Sequence, residues 1–162
     1  MELTIRKYED KDLKPLIRII NDIVGFDDSF PWDTPFTEDT AKAMLSSQTE
    51  VTCACGDDGE ILGFYILHPN NVGRCSHIAN ASYGVSRRAR GLGVGKALVL
   101  DSLEKTKEHG FIALQFNAVV ATNKTAVALY KKLGFCEIGI IPNGFLGHDS
   151  KYIDTIVFYK SV

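Results

Sequence analysis

The sequence predicts a mixed α/β domain in which helices cover the faces of a central β-sheet. Three observations support this fold class. The length of 162 residues fits one domain, spanning residues 1–162. Strand patterns dominate the first part after two helices, and strand–helix–strand units dominate the second part. Finally, 45% hydrophobic and 23% charged residues are ordinary values for a globular chain, which can bury a core without disulfides.

Charge and cysteine content narrow the class of protein. A net charge of −2 argues against nucleic acid as the main partner. No apolar run approaches the roughly 20 residues of a membrane span, and no long apolar signal segment begins the chain. The 4 cysteines lack zinc-site spacing, so we expect small, buried, reduced side chains and no metal site. We therefore expect a cytoplasmic protein that does not bind a membrane.

The first elements are a strand over residues 2–8 and a helix capped by Asp10 or Asp12. Pro15 suits the first turn of that helix. Apolar residues recur at helical spacing along it: Leu13, Leu16, Ile17, Ile20, Ile23 and Val24.

An aperiodic, aromatic segment follows at residues 25–36. Such a loop either lines a pocket or is pinned to the core by its aromatic side chains, and the sequence leaves both open. Thr37 then caps a short helix that directs apolar residues inward: Ala41, Met44 and Leu45.

The remaining segments alternate between strands and helices. Residues 61–67 are almost continuously apolar, which is typical of a central strand. Strands are expected at 50–56, 60–68, 75–85, 111–120, 135–141 and 152–159, helices at 93–109 and 122–133, and a Gly-rich loop at 142–151.

The most informative stretch is the glycine-rich turn between a strand that ends near Val85 and the helix that follows it. Glycines stand at 91, 93 and 95, directly after Arg90. Glycine lets the backbone approach a ligand closely, and the first amides of a helix attract phosphate. The turn therefore predicts a site for a phosphate-bearing ligand, to which Arg90 or its neighbours can bind.

Two familiar phosphate loops do not match this turn. A P-loop needs a hydroxyl residue after Gly95-Lys96, but Ala97 stands there, and Arg90 takes the place of its first glycine. The dinucleotide fingerprint read from Gly91 fails at its last position, which holds Lys96.

The segment Arg90-Gly-Leu-Gly-Val-Gly95 instead resembles the acetyl-CoA pyrophosphate loop of the GNAT superfamily of N-acetyltransferases. A second motif of that superfamily is matched downstream by Asn123, Ala126, Leu129, Tyr130, Leu133, Gly134 and Phe135. Two motifs in the right order are far more specific than either alone.

The resemblance implies a GNAT-like mixed central sheet of about seven strands, splayed between strands 4 and 5, with about four helices on its faces. It also implies that acetyl-CoA is the cofactor. Backbone groups of Val85 would meet pantetheine, and amides from Leu92 to Lys96 would hold the pyrophosphate. The implied cofactor-binding residues are Val85, Arg90, Gly91, Leu92, Gly93, Val94, Gly95, Lys96 and Asn123.

The resemblance gives Tyr130 the role of general acid that protonates the departing CoA thiolate. By spacing alone, Tyr130 would be a core aromatic with its hydroxyl at the rim. Asn123 has a local reading as a helix cap, which is compatible with a contact to CoA. The general base stays open, because strand 75–85 contains no carboxylate: His77, a water chain or an already neutral amine could serve.

Asn80 and Asn117 stand in two strands that flank the expected splay. Their surroundings resemble fungal and bacterial GNAT enzymes that acetylate proline analogues such as azetidine-2-carboxylate, and the resemblance implies that both bind the acceptor carboxylate. Alternatively, the two amides satisfy each other or the strand backbone. The segment 140–154 also resembles this subgroup, and we expect it to close over the acceptor site and to support a homodimer.

The function expected from these features is acetyl transfer from acetyl-CoA to a primary or secondary amine of a small molecule or amino acid, by direct attack in a ternary complex. Two alternatives stay open: a protein N-terminal or lysine acetyltransferase, and a non-catalytic acyl-CoA-binding module. A nucleotide-binding protein ranks last, because both nucleotide motifs fail.

Overall fold

Seven strands form one mixed sheet in the computed structural model, which describes residues 2–162. The strands lie in the order β1-β2-β3-β4-β5-β7-β6. In chain order the elements are β1 (Thr4–Lys7), α1 (Leu13–Phe26), α2 (Glu38–Ser46), β2 (Glu50–Cys55), β3 (Ile61–Pro69), β4 (Ile78–Val85), α3 (Val94–Glu108), β5 (Ala113–Val120), α4 (Lys124–Lys132), β6 (Cys136–Leu146) and β7 (Tyr152–Ser161).

The sheet opens between β4 and β5, its only parallel pair among the described residues. These strands pair over three residues each, Ile78–Asn80 against Ala113–Gln115. Both strands continue beyond this contact, β4 to Val85 and β5 to Val120. The expected seven-stranded, splayed sheet is confirmed.

Two hydrophobic cores lie on opposite faces of the sheet. Phe64 and Ile66 of β3 pack in the core that contains α1 and α2. Tyr65 and Leu67 pack in the core that contains α3, with α4 against it. Because successive side chains of a strand point to opposite faces, a strand buried on both sides reads as a continuous apolar run. The expected central position of residues 61–67 is confirmed.

Helix starts follow the sequence with one difference. The Thr37 hydroxyl accepts the Thr40 N–H at 3.2 Å and caps α2 as expected. Asp12 stands at the N-cap position of α1, but its carboxylate accepts hydrogen bonds from Arg6, at 2.7 and 2.9 Å, and from the Glu9 N–H. An arginine fork is a stronger partner for a carboxylate than a single cap amide.

The prediction of a Gly-rich loop at 142–151 is wrong for residues 142–146. Strand β6 continues to Leu146, and its pairing with β7 is irregular between Ile141 and Phe145. Gly144 lies so close to the Thr155 side chain that a Cβ atom would overlap it. Gly144 therefore marks a β-bulge at which the two strands approach closely. Bulges and turns are both rich in glycine, which is why the sequence of this segment resembles a loop.

Two smaller differences concern element ends. Strand β4 begins at Ile78 rather than at 75, because residues 73–75 form a short 3₁₀ turn. Helix α1 continues to Phe26, two residues into the segment expected to be aperiodic.

All four cysteines are free thiols. Cys53 and Cys55 are buried as expected, and burial raises the pKa of Cys53 to about 12. Cys75 and Cys136 are exposed, so their expected burial is wrong: one stands in the turn before β4 and the other on the edge strand β6. Within residues 2–162, no helix has the length and apolarity required to cross a membrane.

Candidate active site

A cleft of about 630 Å³ lies where β4 and β5 part. The C-terminal end of α1, the end of β4, the start of α3 and helix α4 form its walls. It brings together eight of the residues expected at the site: Val85, Arg90, Gly91, Gly93, Val94, Gly95, Asn123 and Tyr130. The side chains of Leu92 and Lys96 are exposed outside this lining, whereas their backbone amides belong to the turn at the start of α3.

The glycine-rich turn has a backbone that requires glycine. Gly91 has φ +77° and Gly93 has φ +84°, in the left-handed region that L side chains rarely adopt. Gly93 is the N-cap of α3, so the amides that follow it have no acceptor within the helix. The Leu92 N–H is partly engaged, because it lies 3.4 Å from the Ala89 carbonyl. These amides and the helix dipole favour an anionic group.

The arginines before the turn have unequal surroundings. Arg90 and Arg87 both donate to the Asp27 carboxylate at the end of α1. Arg88 pairs instead with Glu60 at 2.6 Å, outside the cleft. Asp27 therefore places a negative charge beside Arg90, and a pyrophosphate would share this guanidinium with it. No motif in the sequence indicates this contact.

The edge of β4 offers a backbone surface for an extended ligand. Beyond Asn80, no described residue of β5 pairs with β4, although β4 runs to Val85. Unpaired strand groups accept a ligand with amide groups as they would accept another strand. Pantetheine contains two such amides, so the open edge and the adjoining glycine turn fit acetyl-CoA.

Two tyrosines line the cleft and differ in the use of their hydroxyl groups. Ser102 donates to the Val99 carbonyl, so its oxygen accepts the proton of Tyr83, at 2.7 Å. The Tyr130 hydroxyl makes no hydrogen bond within residues 2–162, while its ring packs against Phe116 with centroids 4.5 Å apart. Burial raises the pKa of Tyr130 above its ordinary value, which keeps the hydroxyl protonated at neutral pH. Tyr130 is therefore protonated at neutral pH, and its hydroxyl has no hydrogen-bond partner among residues 2–162.

Asn123 caps α4 as its local reading suggested. Its amide oxygen accepts the Ala126 N–H at 3.2 Å. Because the side chain also lines the cleft, its NH₂ group can reach a ligand while the oxygen holds the helix.

Asn80 and Asn117 meet outside the lining of the cleft. Both donate to the amide oxygen of Asn70, at 2.9 and 2.7 Å. They therefore bond neither to each other nor to strand backbone. Sequence reasoning missed Asn70, which follows β3 directly and has no motif around it.

The structure does not support His77 as the base. His77 is exposed, precedes β4 and lies at the opposite end of that strand from Val85. The carboxylates that line the cleft are Asp27 and Asp28. Asp27 is held by arginines, and hydrogen bonds from His148 lower the pKa of Asp28, which weakens it as a base.

The aromatic segment at residues 25–36 both lines the cleft and packs against the core, the two roles that the sequence left open. Phe30 packs edge to face against Trp32, and Trp32 against Phe36, each pair with centroids 5.1 Å apart. Phe26 and residues 27–29 line the cleft. The aromatic residues pin the segment to the core, and its first residues shape the site.

Comparison with known proteins agrees with this geometry. The model of the acetyltransferase (GNAT) family matches residues 17–135. N-acetyltransferase aca1 of Schizosaccharomyces pombe is 28% identical, over 94% of this chain and 81% of its own length.

Solved structures give the same fold. A GCN5-related N-acetyltransferase from Kribbella flavida is 34% identical, with a TM-score of 0.92 over 99% of this chain and 98% of that one. A Sinorhizobium meliloti phosphinothricin acetyltransferase, solved in complex with acetyl-CoA, is 22% identical, with a TM-score of 0.93 over 100% of this chain and 89% of that one. The family match and the Kribbella likeness establish that this chain belongs to the GNAT family, as an N-acetyltransferase whose cosubstrate is acetyl-CoA.

Proposed function

We propose that the chain, as a single domain, acetylates the amino group of a small amino acid or related amine by direct attack in a ternary complex. The observation that carries this proposal is the opening between β4 and β5, which has the cofactor cleft on one side and a cluster of neutral amides at its closed end. Proline analogues such as azetidine-2-carboxylate are part of the proposed acceptor class.

The proposed mechanism assigns a task to each part of the site. The amides from Leu92 to Lys96 and the Arg90 guanidinium bind the pyrophosphate, and the edge of β4 near Val85 orients pantetheine. Bound acetyl-CoA supplies a reactive acetyl thioester. The acceptor amine would attack the acetyl carbonyl carbon, and the carbon–sulfur bond would break. Tyr130 donates its proton to the departing thiolate, while the proton lost by the amine passes to solvent, from which Tyr130 is protonated again. No cysteine is among the cleft residues that the structure describes, which favours attack by the amine itself.

The test is a thermal-shift experiment followed by an amine screen. We expect acetyl-CoA and CoA to raise the melting temperature, and ATP and NAD to leave it unchanged. A ligand at 100 times its Kd stabilises the native state by about 2.7 kcal/mol. The screen then follows CoA release with small amino acids, simple amines and peptides. Turnover of peptides alone would favour the protein acetyltransferase, and binding without any turnover would favour the acyl-CoA-binding module.

The homodimer and the cytoplasmic location are also proposals. Strand β6 lies at the edge of the sheet and exposes Ile138 (63%), Ile140 (54%) and Leu146 (59%). An apolar edge strand favours pairing with a second copy of the chain. Light scattering after gel filtration tests the dimer, which Ile140→Lys should weaken. The buried free thiols Cys53 and Cys55 fit a reducing compartment.

A further inference from the structure

We propose that Asn70 is a specificity-determining residue of the acceptor site, which positions Asn80 and Asn117 and keeps the site neutral for an acceptor that carries a carboxylate. This inference rests on the proposed function. It adds a residue and a discrimination rule that neither motif contains.

The first argument is the position of the cluster. Asn80 is the last residue of β4 that pairs with β5, opposite Gln115. Asn117 lies two residues further along β5, where the strands have parted. The amides therefore stand on either side of the point where the opening begins.

The second argument is the face of the sheet. Side chains alternate along a strand, so Asn80 points away from the face that carries Tyr83 and the cofactor cleft. On β5, Phe116 packs in the core that contains α3, whereas Asn117 shares the opposite face with Gln115, which donates a hydrogen bond to it. An acceptor held by these amides would approach the opening from the face opposite Tyr83 and Tyr130.

The third argument is the hydrogen-bond pattern. The single amide oxygen of Asn70 accepts from Asn80 Nδ2 at 2.9 Å and from Asn117 Nδ2 at 2.7 Å. The Asn70 backbone is itself fixed, because its N–H donates to the Ile78 carbonyl at 2.8 Å. Gln115 Nε2 donates to Asn117 Oδ1 at 2.9 Å. One anchored oxygen thus sets the spacing of two side chains whose strands diverge.

The fourth argument is the set of hydrogen-bonding groups that the cluster leaves available for a ligand. After these bonds, the three asparagines still hold N–H donors, and the Asn80 oxygen can still accept. None of the four amides bonds to a charged group among residues 2–162. Neutral N–H donors suit a carboxylate, and the Asn80 oxygen can accept a hydrogen bond from the amino group of the same amino acid.

The decisive variant is Asn70→Asp. A carboxylate at this position still accepts both N–H bonds, so the cluster keeps its geometry and gains one negative charge. We expect unchanged acetyl-CoA affinity and a KM for an amino-acid acceptor raised about tenfold or more by like-charge repulsion. The carboxamide of the same amino acid should not be penalised. Asn71→Asp is the matched control, because it places the charge one residue away and keeps the bond from the Val72 N–H to its side chain.

The measurements are acceptor KM and kcat, and acceptor binding by calorimetry in the presence of CoA. The probes are azetidine-2-carboxylate and the proteinogenic amino acids, each compared with its carboxamide. Equal KM values for Asn70→Asp and Asn71→Asp would overturn the role of Asn70 while the proposed function stands. If no probe binds or reacts with a protein that binds acetyl-CoA, the proposed acceptor class and this inference both fail.

Discussion

The two tyrosines of the cleft differ in whether the hydroxyl group already has a hydrogen-bond partner among residues 2–162. Tyr83 and Tyr130 both line the cleft, and burial raises the pKa of both above the ordinary value. The Tyr83 hydroxyl donates its proton in a hydrogen bond to the Ser102 oxygen, at 2.7 Å. Tyr130 alone of this pair has a proton available for a departing thiolate.

Replacing Tyr130 by Phe should therefore lower kcat about 100-fold, with little change in acetyl-CoA affinity. Tyr83→Phe is the control, which should cost about 1 kcal/mol of unfolding free energy and leave kcat near that of the wild type. Single-turnover rates and acetyl-CoA titrations make the comparison. Unaltered single-turnover rates for Tyr130→Phe across the pH range would remove the general-acid role.

The glycine turn tests the pyrophosphate assignment. Gly93→Glu places bulk and a negative charge where the amides at the start of α3 are expected to hold an anion. We expect acetyl-CoA affinity to fall at least about tenfold. Gly93→Ala has the same left-handed strain at φ +84° without the charge, so it should lower the melting temperature and affect affinity much less. Unchanged affinity in Gly93→Glu would contradict the assignment.

His148 connects the loop between β6 and β7 to the C-terminal end of α1, beside the cleft. The loop between β6 and β7 places His148 Nδ1 2.7 Å from Asp28 and Nε2 3.1 Å from the carbonyl of Val24, near the end of α1. Both ring nitrogens face acceptors, so only the protonated imidazole donates to both. The hydrogen bond between His148 and Asp28 raises the pKa of His148 and lowers the pKa of Asp28. Other charges nearby are Asp27, which faces His148 from the end of α1, and the Asp149–Lys151 pair of its own loop.

The sign of the pH dependence follows from these shifts. Because the folded-state pKa of His148 is raised, its contribution is complete below the unfolded value of about 6.5 and is lost as pH rises through the folded value. The contribution of Asp28 is lost as pH falls below about 4 through its lowered pKa. The contact should thus stabilise most between roughly pH 4 and 6.5.

His148→Gln should remove this pH dependence, because glutamine does not titrate. The measurement is the melting temperature of both proteins from pH 4 to 9. The amount by which the variant melts below the wild type should shrink as pH rises. His77→Gln, at an exposed histidine, is the control. A constant deficit at every pH would mean that the contact acts by packing rather than by charge.

At the scale of the whole molecule, the distance between α3 and the sheet is set by Gly63 on β3. A Cβ atom there would lie 2.8 Å from the Gly84 carbonyl, 3.0 Å from Val94 and 3.1 Å from Leu98. Val94 is the first residue of α3 and lines the cleft. The missing side chain therefore lets the start of α3, where we propose that the pyrophosphate binds, lie close against the sheet.

Gly63→Ala should cost about 1–3 kcal/mol of unfolding free energy through overpacking. It should also weaken acetyl-CoA binding, because relief of the clash moves the start of α3. Gly25→Ala is the control: no atom lies within 4 Å of its added Cβ, and α1 should be stabilised by about 1 kcal/mol. Denaturant melts and acetyl-CoA titrations distinguish the two effects, and full affinity in a destabilised Gly63→Ala would show that the helix start had not moved.

The sequence by itself determined the family, the order of elements and the glycine-rich turn before α3, because these features are local. Positive-φ glycines, the caps Thr37 and Asn123, and the period of apolar residues act within a few residues of chain. Composition alone misread residues 142–146, since a bulged strand and a turn use the same residues.

Only the tertiary structure decided which side chains meet. Asp27 and Arg90 are 63 residues apart, Asn70 and Asn117 are 47 apart, and Asp28 and His148 are 120 apart. Such contacts depend on the packing of whole elements, and a polar side chain carries no local signal of its distant partner. The turn proposed to bind acetyl-CoA is therefore encoded in a short segment, whereas the surroundings of its arginine and the proposed acceptor site exist only once the sheet has formed.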